Sequence, residues 1–444
     1  MTTKEKMDKA LEAAGQTKGC EISQGATKRV PDLFRKFFPG EQPVVVTDPN
    51  TWKAAGEKLY DTLVEAGFDA KKYIMETPYA DWDNIEMVEG MLRETGCVPI
   101  AVGSGVINDL CKLSSHRVGK RYICFATAAS ADGYTASSAS ITKDGSKQTF
   151  LCPAPLCIVA DVDVLCGAPA FLTVAGYGDL AAKVPSRCEW MIADIFGTEP
   201  IIPAAWDVLL EPLDELLDDP EGIAARKPEA VEKLFIGLSL SGIAQQIANS
   251  TRPVSCAEHL YSHYLDMIHH TFNGRGVLHG NKVAIGTLTM CAMFDEFFKM
   301  DLSKIDVDAC VQAWPSKEEE IARATELFKN FPAPELGPES ITKKWQSKEE
   351  VRKQLTYFKE NWEEIKKKIQ GQYYSFEKMK DLFTKAGAPT EPEQIGITRA
   401  DLRKMTDYVQ LMRWRINLFD LCKRAGLYDT LLDRVFGKGG AWEC

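Results

Sequence analysis

The chain changes its hydrophobic pattern once, and this change limits the folds that it can adopt. From about residue 20 to residue 165, short apolar runs alternate with amphipathic segments, which is typical of a layered α/β domain. The predicted strands are 44–47, 73–76, 98–102, 122–125 and 156–162. From about Gly176 the strand signal disappears, and the rest has the pattern of helices separated by proline and glycine. The sequence therefore predicts an α/β domain over residues 1–167 and an all-α domain over residues 168–444.

The charge balance argues against nucleic acid and membranes as partners. The 444 residues include 53 basic and 63 acidic ones, which gives a formal net charge of −10. A field of this sign repels phosphate backbones and anionic lipid surfaces. We therefore expect a small-molecule ligand, and any phosphate group on it needs a local binding site. A homo-oligomer is compatible with the sequence, which leaves the oligomeric state open.

The cysteines and the N-terminal segment favour a cytoplasmic protein. Thirteen cysteines are spread along the chain without a Cys-x-x-Cys pair, which indicates neither a disulfide framework nor a zinc–thiolate cluster. Free thiols are typical of a reducing compartment. The first residues are polar and lack the apolar segment of a secretory signal, and no apolar run reaches the ~20 residues of a membrane helix.

Histidines are concentrated in one short stretch of the helical half. Five of the six lie between positions 259 and 279, namely His259, His263, His269, His270 and His279. His259 and His263 are four residues apart, so they would share one face of a helix. A turn at 273–276 and a second helix could then bring His279 back to His259. Such a cluster indicates a shared site, although separate histidines are often ordinary core or surface residues.

Two further residues of the helical half are candidates for the same site. Asp179 follows Gly176 and Gly178 in an apolar neighbourhood and is either a helix cap or a metal ligand. A carboxylate joined to two histidines leaves a fourth position open, which is the composition of a catalytic metal site. Arg252, just before the histidines, is a candidate for an anionic substrate group, with a surface arginine as the alternative.

The α/β half carries three candidate cofactor segments, each after a predicted strand. Gly103, Ser104 and Gly105 precede a predicted helix, whose N-terminus could hold a pyrophosphate, and an ordinary strand-to-helix turn is the alternative. Asp48 could accept hydrogen bonds from a ribose, or it could belong to an Asp-Pro-Asn turn at the end of the strand. Asn50 is the candidate N-cap of the helix predicted from Thr51. The loop 126–138 is rich in small and hydroxyl side chains, as a cofactor-lining loop or a plain polar loop would be.

Taken together, these motifs resemble the glycerol-1-phosphate dehydrogenase family, in the superfamily of iron-containing alcohol dehydrogenases, glycerol dehydrogenase and dehydroquinate synthase. They are Gly-Ser-Gly-x-Ile-Asn-Asp (103–109), Thr-Ala-Ala-Ser-x-Asp-Gly (127–133), Gly-x-Gly-Asp-Leu (176–180), Ser-x-Arg-Pro-x-Ser-x-x-Glu-His-x-x-x-His (250–263) and Leu-His-Gly (278–280). They occur in the family's order. The resemblance implies a dinucleotide-binding α/β domain followed by a helical metal-binding domain, as in dehydroquinate synthase.

The resemblance also assigns roles to individual residues. The implied cofactor contacts are Gly105, Val106, Ile107, Asn108, Asp109, Thr127, Ala128, Ala129 and Ser130. Asp179, His259 and His279 would bind one divalent metal ion, for which zinc is favoured, although iron, nickel and manganese suit the same ligands. Asp132, Asp179 and His263 would face the substrate.

We therefore expect metal-assisted hydride transfer between NAD or NADP and a small phosphorylated ketone, with dihydroxyacetone phosphate giving sn-glycerol 1-phosphate. Two alternatives keep this fold, namely a carbocycle-forming lyase like dehydroquinate synthase and a dehydrogenase of another polyol or polyol phosphate. A third, a metal-dependent hydrolase or a non-catalytic metal-binding module, would make the glycine loops mere turns. Binding and net consumption of NADH separate these hypotheses.

Overall fold

The computed structural model describes residues 3–144 and 146–444. Within them the strands are β1 (Gly19–Ser23), β2 (Pro43–Thr47), β3 (Lys71–Ile74), β4 (Val98–Gly103), β5 (Ile123–Ala126), β6 (Ser138–Lys143), β7 (Ser146–Leu151), β8 (Cys157–Asp161), β9 (Thr271–Phe272) and β10 (Arg275–Gly276). Each of the five predicted strands has a counterpart here, displaced by at most a few residues.

The helices occupy most of the remaining chain. They are α1 (Thr3–Ala13), α2 (Val30–Phe37), α3 (Pro49–Thr51), α4 (Glu57–Glu65), α5 (Trp82–Thr95), α6 (Gly105–Arg117), α7 (Val162–Gly167), α8 (Ala170–Ala181), α9 (Lys183–Ile195), α10 (Pro203–Leu209), α11 (Leu213–Leu216), α12 (Pro220–Ala225), α13 (Pro228–Ala248), α14 (Ala257–Met267), α15 (His279–Phe297), α16 (Val307–Ala313), α17 (Lys317–Phe328), α18 (Leu336–Lys344), α19 (Lys348–Glu360), α20 (Trp362–Gln370), α21 (Phe376–Ala386), α22 (Arg399–Val409), α23 (Leu418–Arg424) and α24 (Tyr428–Phe436). None of the helices in the described ranges has the length and apolar character needed to cross a bilayer.

The main sheet has six parallel strands in the order β1-β8-β5-β4-β2-β3. The chain adds β3 on one side of β2 and then returns to place β4 on the other side, so the strand order reverses between β2 and β4. In open α/β sheets, ligands bind beyond the carboxyl ends of the strands at such a reversal. Asp48 and the Gly103–Gly105 segment follow β2 and β4 at this point.

Alternate residues of the central strands form the core on one face of the sheet. Val45, Val102 and Phe125 are 0% exposed and pack with Phe34 of α2 and Leu59 of α4. Burial on both faces explains why β2 and β4 read as continuous apolar runs instead of alternating ones. The packed core fixes the strands, and with them the start of each loop that follows the carboxyl end of a strand (the carboxyl edge of the sheet).

The chain forms two compact units. One consists of residues 1–180 with 202–253, and the other of residues 181–201 with 254–444. Helices α10 to α13 therefore belong to the unit that contains the sheet. These compact units divide the chain at positions other than residue 167. A boundary between two functional domains after residue 167 therefore stays a prediction.

The sequence pattern missed several short strands. In β6 the buried Ala139 and Ile141 alternate with more exposed residues, so its signal was present in the sequence and weak. The helical half contains one antiparallel hairpin, in which β9 pairs with β10. Asn273 and Gly274 between them have φ values of 52° and 72°, as the two central residues of a type I′ hairpin turn require. The predicted turn is thus a short hairpin, with two residues in each strand, inside the otherwise helical half.

Candidate active site

The glycine segment lies at a tight strand-to-helix junction. β4 ends at Gly103, Ser104 is the N-cap residue, and α6 begins at Gly105. A Cβ at position 103 would lie 2.6 Å from the Cβ of Ile107, so this close turn requires glycine. The Ser104 side chain makes no capping hydrogen bond, and the first residues of α6 are exposed. The helix therefore presents its first backbone N–H groups and its partial positive charge at the edge of the sheet.

The polar side chains of the next helical turn bind other parts of the protein. Asn108 is buried, accepts a hydrogen bond from the Tyr122 hydroxyl at 2.8 Å and donates one to the Gly133 carbonyl at 3.3 Å. Asp109 accepts the Ser140 amide at 3.1 Å, and the buried Lys112 ammonium lies 3.3 Å from the same carboxylate. These bonds tie α6 to the chain segment after β5. The predicted cofactor contacts of Asn108 and Asp109 remain predictions.

The loop after β5 lies beside the glycine junction. Gly103 pairs with Ala126 across the two strands, and the Thr127 amide donates to the Gly103 carbonyl at 3.1 Å. The loop residues Thr127, Ala128 and Ala129 are buried, and Ser130 is partly exposed. Tyr134 donates its hydroxyl hydrogen to the Ala128 carbonyl, and burial raises the pKa of this phenol. The small side chains thus lie at the carboxyl edge in a fixed conformation.

Asp48 has a local structural role. It is the N-cap of α3, and its Oδ1 accepts the amide hydrogens of Asn50 at 2.7 Å and Thr51 at 3.0 Å. Asn50, the predicted N-cap, lies inside this helix. The N-cap is Asp48, two residues earlier, so that prediction was wrong. The two bonds match the turn interpretation of Asp48, whereas contact with a ribose remains a prediction. Within the described ranges, no hydrogen bond involves Oδ2.

Asp179 lies in α8 and is completely buried. Its Oδ2 accepts the backbone N–H of Asp132 at 2.9 Å, which connects it to the loop after β5. Since Asp179 lies near the end of the helix, it is not an N-cap, and the cap interpretation was wrong. A buried carboxylate must be offset by hydrogen bonds, a cation or a metal ion.

The helical unit brings three of the predicted histidines together. His259 and His263 lie on α14, and His279 begins α15. Their ring centroids are separated by 5.4 Å for His259 and His279, 6.2 Å for His263 and His279, and 6.5 Å for His259 and His263. Tight contact between the two helices allows this approach, because a Cβ on Gly286 of α15 would lie 2.1 Å from the Glu258 carbonyl oxygen. The predicted helix, turn and second helix are therefore all present.

Both predicted ligand histidines use Nδ1 for a contact within the protein. His259 Nδ1 lies 2.8 Å from Glu258 Oε1, and His279 Nδ1 lies 3.0 Å from Ser262 Oγ. These contacts identify Nε2 as the nitrogen that would bind a metal ion in each ring. His269 and His270 lie beyond the end of α14, and His270 Nε2 is 2.7 Å from the Ile395 carbonyl oxygen. The other two histidines of the cluster, His269 and His270, thus lie outside the triangle of rings.

Arg413 is a basic residue near the histidines that the sequence pattern missed. Its Nη2 lies 3.4 Å from His263 Nε2, and its Nη1 donates to Ser255 Oγ at 3.0 Å. It lies 150 residues after His263 in the chain, so no local pattern could connect the two. Arg252, the predicted anion-binding residue, belongs to the other compact unit and is 2% exposed.

Two buried thiols of the sheet, those of Cys124 and Cys157, are unsuitable as nucleophiles. Burial raises the pKa of Cys124, on β5, to about 12, and that of Cys157, on β8, to about 12. A thiol with such a pKa remains protonated at neutral pH, and only the thiolate reacts. These two thiols are therefore not candidates for the chemistry of the site.

Comparisons with known proteins show which enzymes this chain is similar to. Residues 21–169 match the family of iron-containing alcohol dehydrogenases. The chain is 34% identical over 256 residues to the NAD(P)+ glycerol-1-phosphate dehydrogenase of Halalkalibacterium halodurans, a match that covers 56% of this chain and 64% of the relative. It is 31% identical over 312 residues to the corresponding enzyme of Geobacillus thermodenitrificans, covering 68% of this chain and 77% of the relative. The chain thus spans just under two thirds of the first relative and over three quarters of the second.

A solved structure extends the likeness to the whole fold. Glycerol dehydrogenase from Schizosaccharomyces pombe superposes with a TM-score of 0.62 over 94% of this chain and 89% of its own chain, at 18% sequence identity. At this identity the likeness concerns the fold. It confirms the predicted class, a parallel α/β part followed by a helical part.

Proposed function

This chain belongs to the glycerol-1-phosphate dehydrogenase family, and on that premise we propose that it reduces dihydroxyacetone phosphate to sn-glycerol 1-phosphate with NADH or NADPH. The relatives are named as NAD(P)+ dehydrogenases, and the family matched at residues 21–169 is that of iron-containing alcohol dehydrogenases, which supports NAD(P)-dependent oxidoreductase chemistry. The observation that carries the proposal is the triangle of imidazoles formed by His259, His263 and His279. Three such rings, two of them with Nδ1 already engaged, suit a catalytic metal site better than a structural core.

Asp179, His259 and His279 would hold one divalent metal ion. Two imidazoles and one carboxylate are the ligands of many catalytic zinc sites, in which a fourth position stays open. Asp179 is fully buried and His259 is 4% exposed, so both can offer donor atoms away from bulk water. Zinc is our first choice, and iron, nickel or manganese fits the same donor set. When bound, such an ion supplies the Lewis acidity that polarises a ketone oxygen and stabilises alkoxide charge.

His263 would move the proton that the product alcohol requires. Its ring is partly exposed and lies about one helical turn from His259. Imidazole exchanges protons near neutral pH, which suits protonation of a developing alkoxide. Asp132, tied to Asp179 through its backbone N–H, would contact the hydroxyl groups of the substrate.

Arg252 and Arg413 are our two candidates for the substrate phosphate. Arg413 contacts both Ser255 Oγ and His263 Nε2, so its guanidinium lies next to the proposed proton donor. A guanidinium and a hydroxyl together form a good site for phosphate oxygens. Arg252 has sequence proximity in its favour, and the predictions below separate the two residues.

The carboxyl edge of the sheet would hold the dinucleotide. The N–H groups at the start of α6 would bind the pyrophosphate, and the loop from Thr127 to Ser130 would line the site. Asp48 would select NADH over NADPH, because its carboxylate repels a 2′-phosphate. The cofactor supplies the hydride when bound.

The decisive experiment follows NADH and NADPH oxidation with a panel of ketones, including dihydroxyacetone phosphate, dihydroxyacetone and other phosphorylated ketones. We expect stoichiometric NADH consumption with dihydroxyacetone phosphate and formation of sn-glycerol 1-phosphate. The product should therefore not react with an enzyme that is specific for the opposite enantiomer. Equal rates with both forms of dihydroxyacetone would contradict the phosphate assignment. NADH binding without net consumption by any ketone would favour the carbocycle-forming alternative.

We also propose a cytoplasmic location, on the ground that all thirteen cysteines are free thiols in the structure. Labelling the cysteines of protein taken directly from cells tests this point. A reducing compartment predicts thirteen reactive thiols after denaturation without reductant.

A further inference from the structure

Glu258, in the first turn of α14, is a completely buried carboxylate with few hydrogen-bond and ion-pair contacts. Its Oε1 accepts the Cys256 backbone N–H at 2.8 Å and lies 2.8 Å from His259 Nδ1. Within the part of the chain that the structure describes, its Oε2 has no hydrogen-bond partner, and the side chain is 0% exposed. Among the residues that the structure describes, its one ion-pair contact is the imidazole of His259.

A second buried acid, Glu189, lies beside this carboxylate. A carboxylate oxygen of Glu189 and the sulfur of Cys256 lie close to it, with the donor atoms of the three residues within 4.8 Å of one another. The Glu189 oxygens accept the backbone N–H groups of Ala257 and Leu418, each at 2.8 Å. Burying a carboxylate beside another acid is unfavourable unless a cation or a strong donor offsets it. His259 is the group through which Glu258 can reach a positive charge.

We propose that Glu258 is a positioning residue for the metal site. Through Nδ1 of His259 it holds the imidazole in the tautomer and orientation that present Nε2 to a divalent cation, and it strengthens that ligand. A cation on Nε2 withdraws electron density from the ring, which makes Nδ1–H a better donor and offsets the buried carboxylate. This inference rests on the metal site of the proposed function. It assigns unequal support to the two histidines, because His279 has the neutral Ser262 at the corresponding position.

The test compares the unaltered protein with Glu258→Gln after both are stripped of metal. Glutamine keeps the side-chain length and the Oε1 acceptor and removes the charge. We expect the dissociation constant for Zn²⁺, measured by competition with a chromophoric chelator, to rise about 10–100-fold. We expect the melting temperature of the stripped variant to be equal or higher, because an uncompensated buried charge is gone. A merely structural Glu258 predicts the reverse, a lower melting temperature with unchanged Zn²⁺ affinity.

Two matched variants control for the helices themselves. Ser262→Ala removes the neutral contact to His279 and should weaken Zn²⁺ binding less than Glu258→Gln does. Asp266→Asn removes an ion pair between α14 and Lys282 of α15 and should leave Zn²⁺ affinity unchanged. If Glu258→Gln fails to fold, Glu258→Asp takes its place in the test. Aspartate keeps the negative charge, but its shorter side chain moves the carboxylate away from Nδ1 of His259. The Co²⁺ form of Glu258→Asp should then show shifted ligand-field bands, and an unchanged Co²⁺ spectrum with unchanged affinity would overturn the proposal.

The possible failures are distinguishable. If the reloaded, unaltered protein binds no Zn²⁺, the metal centre of the proposed function fails. If it binds one equivalent and Glu258→Gln binds Zn²⁺ equally tightly, only the role of Glu258 fails. Two equivalents, of which Glu258→Gln loses one, would also overturn the proposal, because Glu258 would then be a ligand of a second site with Glu189 and Cys256.

Discussion

The glycine junction after β4 and the histidine triangle on α14 and α15 differ in which atoms would contact a ligand. At the junction, backbone N–H groups would face the ligand, and side chains such as Asn108 bind other parts of the protein. At the triangle, imidazole nitrogens would act directly, and each orientation depends on a second side chain. A backbone site tolerates most side chains and fails only when the turn changes. A side-chain site fails when one ligand or its support is lost.

The largest effect is expected at the ligands. Replacing His259 or His279 with alanine should remove the bound metal ion and lower kcat by at least about three orders of magnitude, because several kcal/mol of charge stabilisation disappear. NADH binding should persist, measured by fluorescence titration. The exposed His116, outside the cluster, is the control, and His116→Ala should retain both metal and activity. A full equivalent of tightly bound metal in His279→Ala would contradict the ligand assignment.

The next effect tests the backbone site. Gly103→Ala places a Cβ 2.6 Å from the Cβ of Ile107, so the turn must move. The N–H groups at the start of α6 would then no longer point toward the predicted pyrophosphate site. NADH affinity should fall about tenfold, equivalent to 1.4 kcal/mol, while metal content stays the same. Gly90→Ala, in α5, is the matched control, because a Cβ there meets nothing within 4 Å and the residue is exposed and not a predicted cofactor contact. Unchanged NADH affinity in Gly103→Ala would show that glycine is not required for the close turn.

The third effect identifies the phosphate-binding residue. Charge-assisted hydrogen bonds contribute roughly 1.5–3 kcal/mol each, so loss of the correct arginine should lower kcat/KM for dihydroxyacetone phosphate at least tenfold. The same change should leave reduction of unphosphorylated dihydroxyacetone almost unaltered. Arg413→Ala and Arg252→Ala are compared under identical conditions, with metal content verified in each. If neither variant distinguishes the two ketones, both assignments are wrong.

The smallest effect concerns Asp48, which has two separable roles. Asp48→Asn keeps an N-cap acceptor and removes the charge, so the preference for NADH over NADPH should narrow with little change in melting temperature. Asp48→Ala loses the cap as well and should destabilise the protein by about 1 kcal/mol. Ratios of kcat/KM for the two cofactors measure the first role and thermal unfolding the second. An unchanged cofactor ratio in both variants would reduce Asp48 to its capping role.

Local patterns in the sequence were sufficient for the five predicted strands and for the two helices that carry the histidines, but not for the other strands. Apolar runs located the central strands of the sheet, because burial on both faces requires continuous apolar sequence. The spacing of His259 and His263 placed them on one helical face, since an α-helix repeats every 3.6 residues. These inferences depend on neighbours within a few positions, where periodicity and turn chemistry act.

Only the tertiary structure decided which distant groups meet. Arg413 lies beside His263 although 150 residues separate them, and Gly286 lets α15 approach the backbone of Glu258. The orientation of the His279 imidazole likewise depends on a contact between helices, from its Nδ1 to Ser262 Oγ. Hydrophobic periodicity specifies which face of a helix is buried, but contacts across the core depend on how whole elements pack. The sequence therefore determined the parts of this protein, and packing decided which side chains act together.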